Sequence, residues 1–313
     1  METQTVATSS SPAHRRSRMR RQSIGKQIEL TERDRGVIAL LARYRYLRST
    51  YLHAFTGGAS QTRFVERLGA LYHDGQYVNR PKAQWDTADA RCAPAVYELD
   101  RRGREVLQAA GVVPDRALVW DRRDGAASHF LHTLMVCEVL ASIELGIRQT
   151  EGVRFVSCGE ILSRAPGVSL SLPACIASSS YTIVPDALFG IEYAAGSSRT
   201  YRFFALEVER RNRVDCANLT QTSWRKKVLC YRDIAARKTY AALGIPNLLV
   251  LAVAPSAAHI ASMKTLVVDV TEGKGSPLFM FHAISPENKR PMLELFSEAW
   301  ERAGREDFRI SRL

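Results

Sequence analysis

A chain of 313 residues, 46% of them hydrophobic, can bury a sizeable core, and its length favours two domains over one. No uninterrupted apolar run nears the roughly 20 residues that a bilayer-crossing helix needs, and the N-terminus lacks the apolar stretch of a secretory signal. Six cysteines never fall in a C-x-x-C pair and read as small core residues, while the net charge of +12 is densest toward the N-terminus; a secreted disulfide scaffold and a membrane protein are excluded, and a cytoplasmic protein with a polyanionic partner, DNA before anionic lipid, is expected.

Residues 1–28 contain SSSPAHRRSRMRRQS and hold six Lys/Arg against one acid. With no hydrophobic period they read as a disordered basic tail, which either touches phosphates without reading sequence, stays idle, or mimics a transit peptide. From Leu30 the character changes. Thr31 and Asp34 stand at capping-box spacing, and Val37, Ile38, Leu40, Leu41 and Tyr44 recur at helical spacing, predicting a helix over 31–45. RSTYLHAF predicts a short second helix, Gly57-Gly58 ends it, and Ser60 caps a third helix with Phe64, Val65, Leu68 and Leu71 inward and Gln61, Thr62, Arg63, Glu66 and Arg67 outward. Two short strands, Tyr77-Val78 and Val96–Leu99, flank the basic loop NRPKAQWDTADARCAP, and RRGREVLQAAG closes the module as a helix.

Three helices, a two-strand wing and a closing helix, together with YELDRRGREVL, resemble the winged helix-turn-helix family over residues 29–111. In that family the third helix enters the DNA major groove and the wing touches the backbone. The resemblance implies DNA contacts from Gln61, Thr62, Arg63 and Arg67 and from Arg80 and Lys82 of the wing. Winged helices also serve as dimerisation units, so a homodimer is among the expected states.

Residues 112–128 mix Pro, Gly and charge without a period and read as a linker, after which residues 129–313 form the second domain. HFLHTLMVCEVLASIELG predicts an apolar helix, VRFVSC a strand, SRAPGVSLSLPACIASSS an irregular insertion, and YTIVPDALFGI and YRFFALEVE two strands. TSWRKKVLCYRDIAARKTYAALG predicts one long helix and NLLVLAVAP a buried strand; beyond it MKTLVVDV and LFMFHAI are indistinct and a helix is expected from Pro286. Two of the apolar runs end in acids, Asp186 after Val184-Pro185 and Glu207-Val208-Glu209. Strand alternation puts both glutamates on one face, and such a cluster repels itself unless it shares a cation or proton. A solvated strand end paired with Arg210, Arg211 or Arg213 is the plainer alternative.

The order helix, three strands, helix, strand, with Pro185-Asp186 and E-x-E, resembles the PD-(D/E)xK nuclease superfamily, so the expected fold is mixed α+β: a winged helix followed by an αβββαβ nuclease-like domain. The resemblance implies that Asp186 and Glu207 hold Mg²⁺ or Mn²⁺. Glu209 stands where that superfamily has lysine and becomes a third ligand or base, Lys226 or Lys227 at the start of the next helix replaces the missing cation, Lys227 sharing a face with Tyr231 at i, i+4 and being assigned to stabilise developing charge, and Glu138 matches a position where some members add an acid. HTLMV, the PDA of Pro185 to Ala187, LEVER, K-x-x-x-Y over Lys227 to Tyr231 and the N-terminal module together resemble the replication-relaxation family of plasmids, phages and integrative elements. That resemblance implies a role in mobile-element DNA replication, mobilisation or its control, with DNA cleavage, a non-catalytic regulator and a protein-interaction scaffold as the three readings.

Overall fold

The computed structural model describes residues 16–58, 60–87, 89–112, 127–210, 214–215, 219 and 223–312. The fold is mixed α and β. Residues 113–126, most of the expected linker, and the tail before Arg16 lie outside the described residues.

The N-terminal module begins with α1 (Glu32–Arg43), whose capping box is formed as its sequence spacing predicts: Thr31 and Asp34 exchange side-chain and backbone hydrogen bonds. There follow β1 (Leu47–Arg48), α2 (Ser49–Thr56), α3 (Gln61–Ala70), which ends in a π-helical turn over Leu71–Gly75, β2 (Val78–Asn79), β3 (Val96–Leu99) and α4 (Arg101–Ala109). The small sheet of this module has a third strand that sequence reading missed, because β1 is two residues long; the sheet order is β1-β3-β2, antiparallel throughout. Gly103 lets α4 lie on this sheet, since a Cβ there would fall 2.3 Å from the Tyr77 carbonyl oxygen.

The second part opens with α5 (Ala127–Arg148), then β4 (Val153–Val156), α6 (Cys158–Ser163), β5 (Leu172–Ile176), β6 (Ser179–Ile183), β7 (Ala187–Ala195), β8 (Ser198–Val208), α7 (Trp224–Arg237), β9 (Leu249–Ala254), α8 (Ala257–Val270), β10 (Phe279–Ala283), α9 (Glu294–Ser297), β11 (Ala299–Arg302) and β12 (Arg305–Arg309). Seven strands make one mixed sheet in the order β12-β11-β10-β9-β8-β7-β4. The segment YTIVPDALFGI is two strands rather than one. Pro185 has no N–H to give a ladder, so β6 ends at Ile183 and pairs only with β5, and β7 starts afresh at Ala187. The expected long helix stops at Arg237, where Lys238 turns left-handed into a 3₁₀ segment, and the helix expected from Pro286 shrinks to α9 before the β11–β12 hairpin takes over.

Side-chain alternation along β8 sorts the core into two layers. Phe204, Leu206 and Val208 join the cluster under α5, which continues into the N-terminal module through Ile38, Leu41, Tyr44 and Tyr51, while Phe203 and Ala205 join the cluster under α7 with Trp224, Val228 and Tyr231. Phe189 stacks between Phe155 and Phe204, at ring-centroid separations of 5.4 and 5.3 Å. Helix α5 is apolar all round because it is covered twice. His129–Arg148 has the length and hydropathy of a membrane span, yet 78% of its apolar window is buried between the sheet and the N-terminal module. Polar bonds lock the modules together: Arg43 and Arg148 both reach Glu144, at 2.9 and 2.8 Å, Thr50 donates to the Lys289 carbonyl at 2.7 Å, and Tyr51 to that of Arg290 at 3.0 Å. Cys137, Cys158 and Cys230 are the small core residues expected, but Cys92 and Cys175 are exposed.

Candidate functional site

Pairing of Ala187 with Leu206 brings Asp186, at the head of β7, beside the end of β8, where its Oδ2 accepts the Val208 N–H at 2.8 Å. Glu207 and Glu209 lie on the α7 side of the sheet, and their side chains are 1% and 0% exposed. They are buried rather than set at a solvated strand end; of the arginines expected to pair with them, Arg211 and Arg213 lie outside the described residues. On α7, one turn apart, Lys227 and Tyr231 face the sheet. The Lys227 ammonium bridges the two acids, donating to Glu207 Oε2 and, at 2.5 Å, to Glu209 Oε1, and the Tyr231 hydroxyl donates to Glu207 Oε1.

Negative charge is in excess here. Burial, with Asp186 nearby, raises the Glu207 carboxyl to about 7 although Lys227 and Tyr231 pull it down; Lys227 is held protonated well above its ordinary value because the attraction of Glu207, Asp186 and Glu209 outweighs its burial. The same surroundings push the Tyr231 hydroxyl far up.

His132, from α5, completes the open edge. Its Nε2 lies 3.2 Å from Asp186 Oδ1, and these two side chains, 30% and 23% exposed, are where the site meets solvent. Burial lowers the imidazole below its ordinary value, Lys227 adds to that, and Asp186 only partly opposes it, so the ring is neutral at pH 7. The ring's Nδ1 is buried and, among the described residues, has no hydrogen-bond partner. Sequence reading noticed HTLMV as a motif and missed His132 itself, since a lone histidine on an apolar helix carries no signal of what it faces.

Glu138 does not join these acids. It lies six residues further along α5, where its Oε1 accepts from Arg48 Nε at 2.7 Å, bonding the helix to the N-terminal module. Among the described residues no group of three or more His, Cys, Asp and Glu side chains is gathered so as to hold a metal. Glu209 is committed to the ammonium rather than turned toward Asp186.

On the N-terminal module, Gln61, Thr62, Arg63 and Lys82 are exposed, whereas two of the expected DNA contacts are not free. Arg67 folds back on Asp34 at 2.6 Å and on the Glu29 carbonyl, and Arg80 is buried over the rings of Tyr72 and Tyr97, donating to the Tyr97 hydroxyl and the Arg18 carbonyl at 2.9 Å each. Both Nη atoms of the buried Arg80 are thereby used, while Arg67, its Nε and Nη2 turned inward, remains 34% exposed. Val65, expected inward, is 40% exposed beside Gln61 and Thr62. The described part of the basic tail, from Arg16, is docked rather than loose: Asp74 accepts from Arg16, from Ser23 Oγ at 3.1 Å and from the Ile24 N–H at 2.9 Å, and Arg21 pairs with Asp100 at 2.6 Å. Arg16 and Arg18 thereby line a groove of about 710 Å³ together with Gln61, Thr62 and Val65 of α3.

The model of the replication-relaxation family matches residues 38–248, about two thirds of the chain, from α1 to the start of β9. The chain belongs to the replication-relaxation family. The match spans both the exposed face of α3 and the whole Asp186, Glu207, Glu209, Lys227 cluster, and it ends before the β10–β12 extension of the sheet. No curated protein and no solved structure matches the chain.

Proposed function

We propose that this replication-relaxation protein binds DNA of a plasmid or other mobile element and cleaves a phosphodiester with a divalent cation. The observation that carries the reading is Lys227 on Glu207 and Glu209: the cation that the E-x-E element lacks is supplied from α7, so acids and ammonium are assembled as a PD-(D/E)xK-like set from three elements. Family membership supports the replication role; the exposed Gln61, Thr62 and Arg63 at the start of α3 support a winged-helix reading of the N-terminal module.

The residues present fit Mg²⁺ or Mn²⁺ by charge and by donor type. Asp186 and Glu207 offer hard oxygen ligands, and Asp186, Glu207 and Glu209 lie near the single Lys227 ammonium. A divalent cation supplies Lewis acidity toward a phosphodiester and acidifies water. Lys227 stays protonated and stabilises charge developing on phosphoryl oxygens. Tyr231 orients Glu207, and His132, whose Nε2 stands 3.2 Å from Asp186 at the solvent edge, takes up or returns a proton there.

Incubation of the full chain with supercoiled plasmid and Mn²⁺ is expected to give nicked or linear product, reduced at least about 100-fold by Asp186→Asn. Intact plasmid under wild-type protein across metals and salt concentrations would leave only the regulator or scaffold reading. For the DNA face, Arg63→Ala with Lys82→Ala is expected to weaken duplex binding and to shallow its salt dependence, by a slope of roughly two in log K against log salt. Arg67→Ala, by contrast, is expected to lower thermal stability through Asp34 while leaving the salt slope unchanged. A reversed pattern in these two measurements would move the DNA face elsewhere.

A further inference from the structure

Away from the acids of the site, Glu138 lines a cleft of about 400 Å³ between the N-terminal module and the sheet domain. The floor is apolar, built by Leu131, Leu134, Met135, Ile284 and Met292, and at the rim Asp89 and Lys289 join the two modules at 2.9 Å. Arg48 and Glu138 are each more than nine-tenths buried, and the Arg48 guanidinium is placed by Glu138 Oε1 and by the Pro94 carbonyl. Among the described residues no hydrogen bond reaches Glu138 Oε2, and the cleft is the space this carboxylate borders. That oxygen is not among the buried atoms left without a partner, so it opens on the cleft and can accept from a donor that enters it.

An apolar floor with a carboxylate at one edge suits a nucleobase. Guanine presents two adjacent donors, N1–H and N2–H, which one carboxylate accepts together; adenine, cytosine and thymine do not offer that pair on their pairing edges. Leu131 and Arg210, chain neighbours of His132 and Glu209, both line the cleft.

We propose that the cleft binds a guanine of the DNA strand, held by Glu138. The proposal rests on the DNA-cleaving reading above and adds a base preference to it.

Calorimetric titration of the full chain with dGMP, dAMP, dCMP and dTMP, without metal, is expected to show dGMP binding at least about tenfold more tightly than the others. Glu138→Gln, which turns one acceptor into a donor, is expected to erase that preference, and Asn288→Trp, on the exposed rim of the cleft and outside the core, to block all four. A single-stranded oligonucleotide with one guanine is expected to bind about tenfold more tightly than its inosine counterpart, which lacks the N2 amine. Four equal nucleotides, no binding, or a dGMP preference that survives both substitutions would overturn the proposal; dGMP binding beside an oligonucleotide indifferent to inosine would overturn it in favour of a free guanine nucleotide. Because these readouts need no cleavage, intact plasmid in the Mn²⁺ assay with dGMP binding retained would remove the nuclease reading alone.

Discussion

Lys227→Met is expected to cost about 3–5 kcal/mol of folding stability at pH 8, because one substitution strips the shared cation from two buried carboxylates. Methionine keeps the apolar stem and its packing, so the loss measures charge rather than volume. The penalty depends on pH through Glu207. A carboxyl raised to about 7 in the folded chain stabilises it fully below the unfolded value near 4.5, and that contribution is lost as pH rises through about 7. Lys227, held protonated, does not titrate in this window. Without the ammonium Glu207 rises further and takes up a proton at acid pH, so the Lys227→Met penalty shrinks toward pH 5. Urea unfolding at pH 5 and pH 8 tests this, and a penalty equal at both would mean that Glu207 is not the group responding. In the unsubstituted chain, stability is expected to decline between pH 4.5 and 7 in part through this carboxyl, a component that Glu207→Gln removes.

The second large effect is expected from Glu144→Ala, again about 3–5 kcal/mol, at the seam between the modules. Glu144 is 3% exposed and accepts across the seam from the Tyr44 hydroxyl and Arg43, and within α5 from the half-exposed Arg148, so its removal takes the carboxylate from a fully buried phenol and a largely buried guanidinium. Differential scanning calorimetry with limited proteolysis between residues 112 and 128 reads it. Lower stability with faster cleavage there marks a seam that has opened; an unchanged melting temperature would show that the shared apolar core holds the modules without this carboxylate.

Much of the site was legible because its signals are local. A capping box at Thr31 and Asp34, an i, i+4 pair at Lys227 and Tyr231, and strand alternation at Glu207 and Glu209 each depend on fewer than five residues of backbone geometry, and the elements form where those spacings place them. The errors are of one kind. Arg67 and Arg80 have the composition of phosphate contacts and are instead held by Asp34 and by Tyr97, partners 33 and 17 residues away; Glu138 has the composition of a metal ligand and is held by Arg48, 90 residues away. A charged side chain keeps the partner that desolvates it least expensively, and sequence spacing does not disclose that partner. The C-terminal segment failed for a related reason: apolar periodicity after Pro286 is short, and β-pairing of Phe281 with Glu301 overrides it.

The sequence by itself determined the mixed α and β class, the family, the principal helices α1, α3, α4, α5 and α7, and the common face of Glu207 and Glu209 on β8, since periodicity and turn chemistry act over a few residues, whereas β1, α6, β5 and the break between β6 and β7 were not legible in it. Only the tertiary structure decided that the Lys227 ammonium bridges both glutamates, that His132 rather than Glu138 meets Asp186, and that Glu138 borders a cleft between the modules. Those choices depend on which charges end up buried together, and burial is settled when the sheet, α5 and α7 pack.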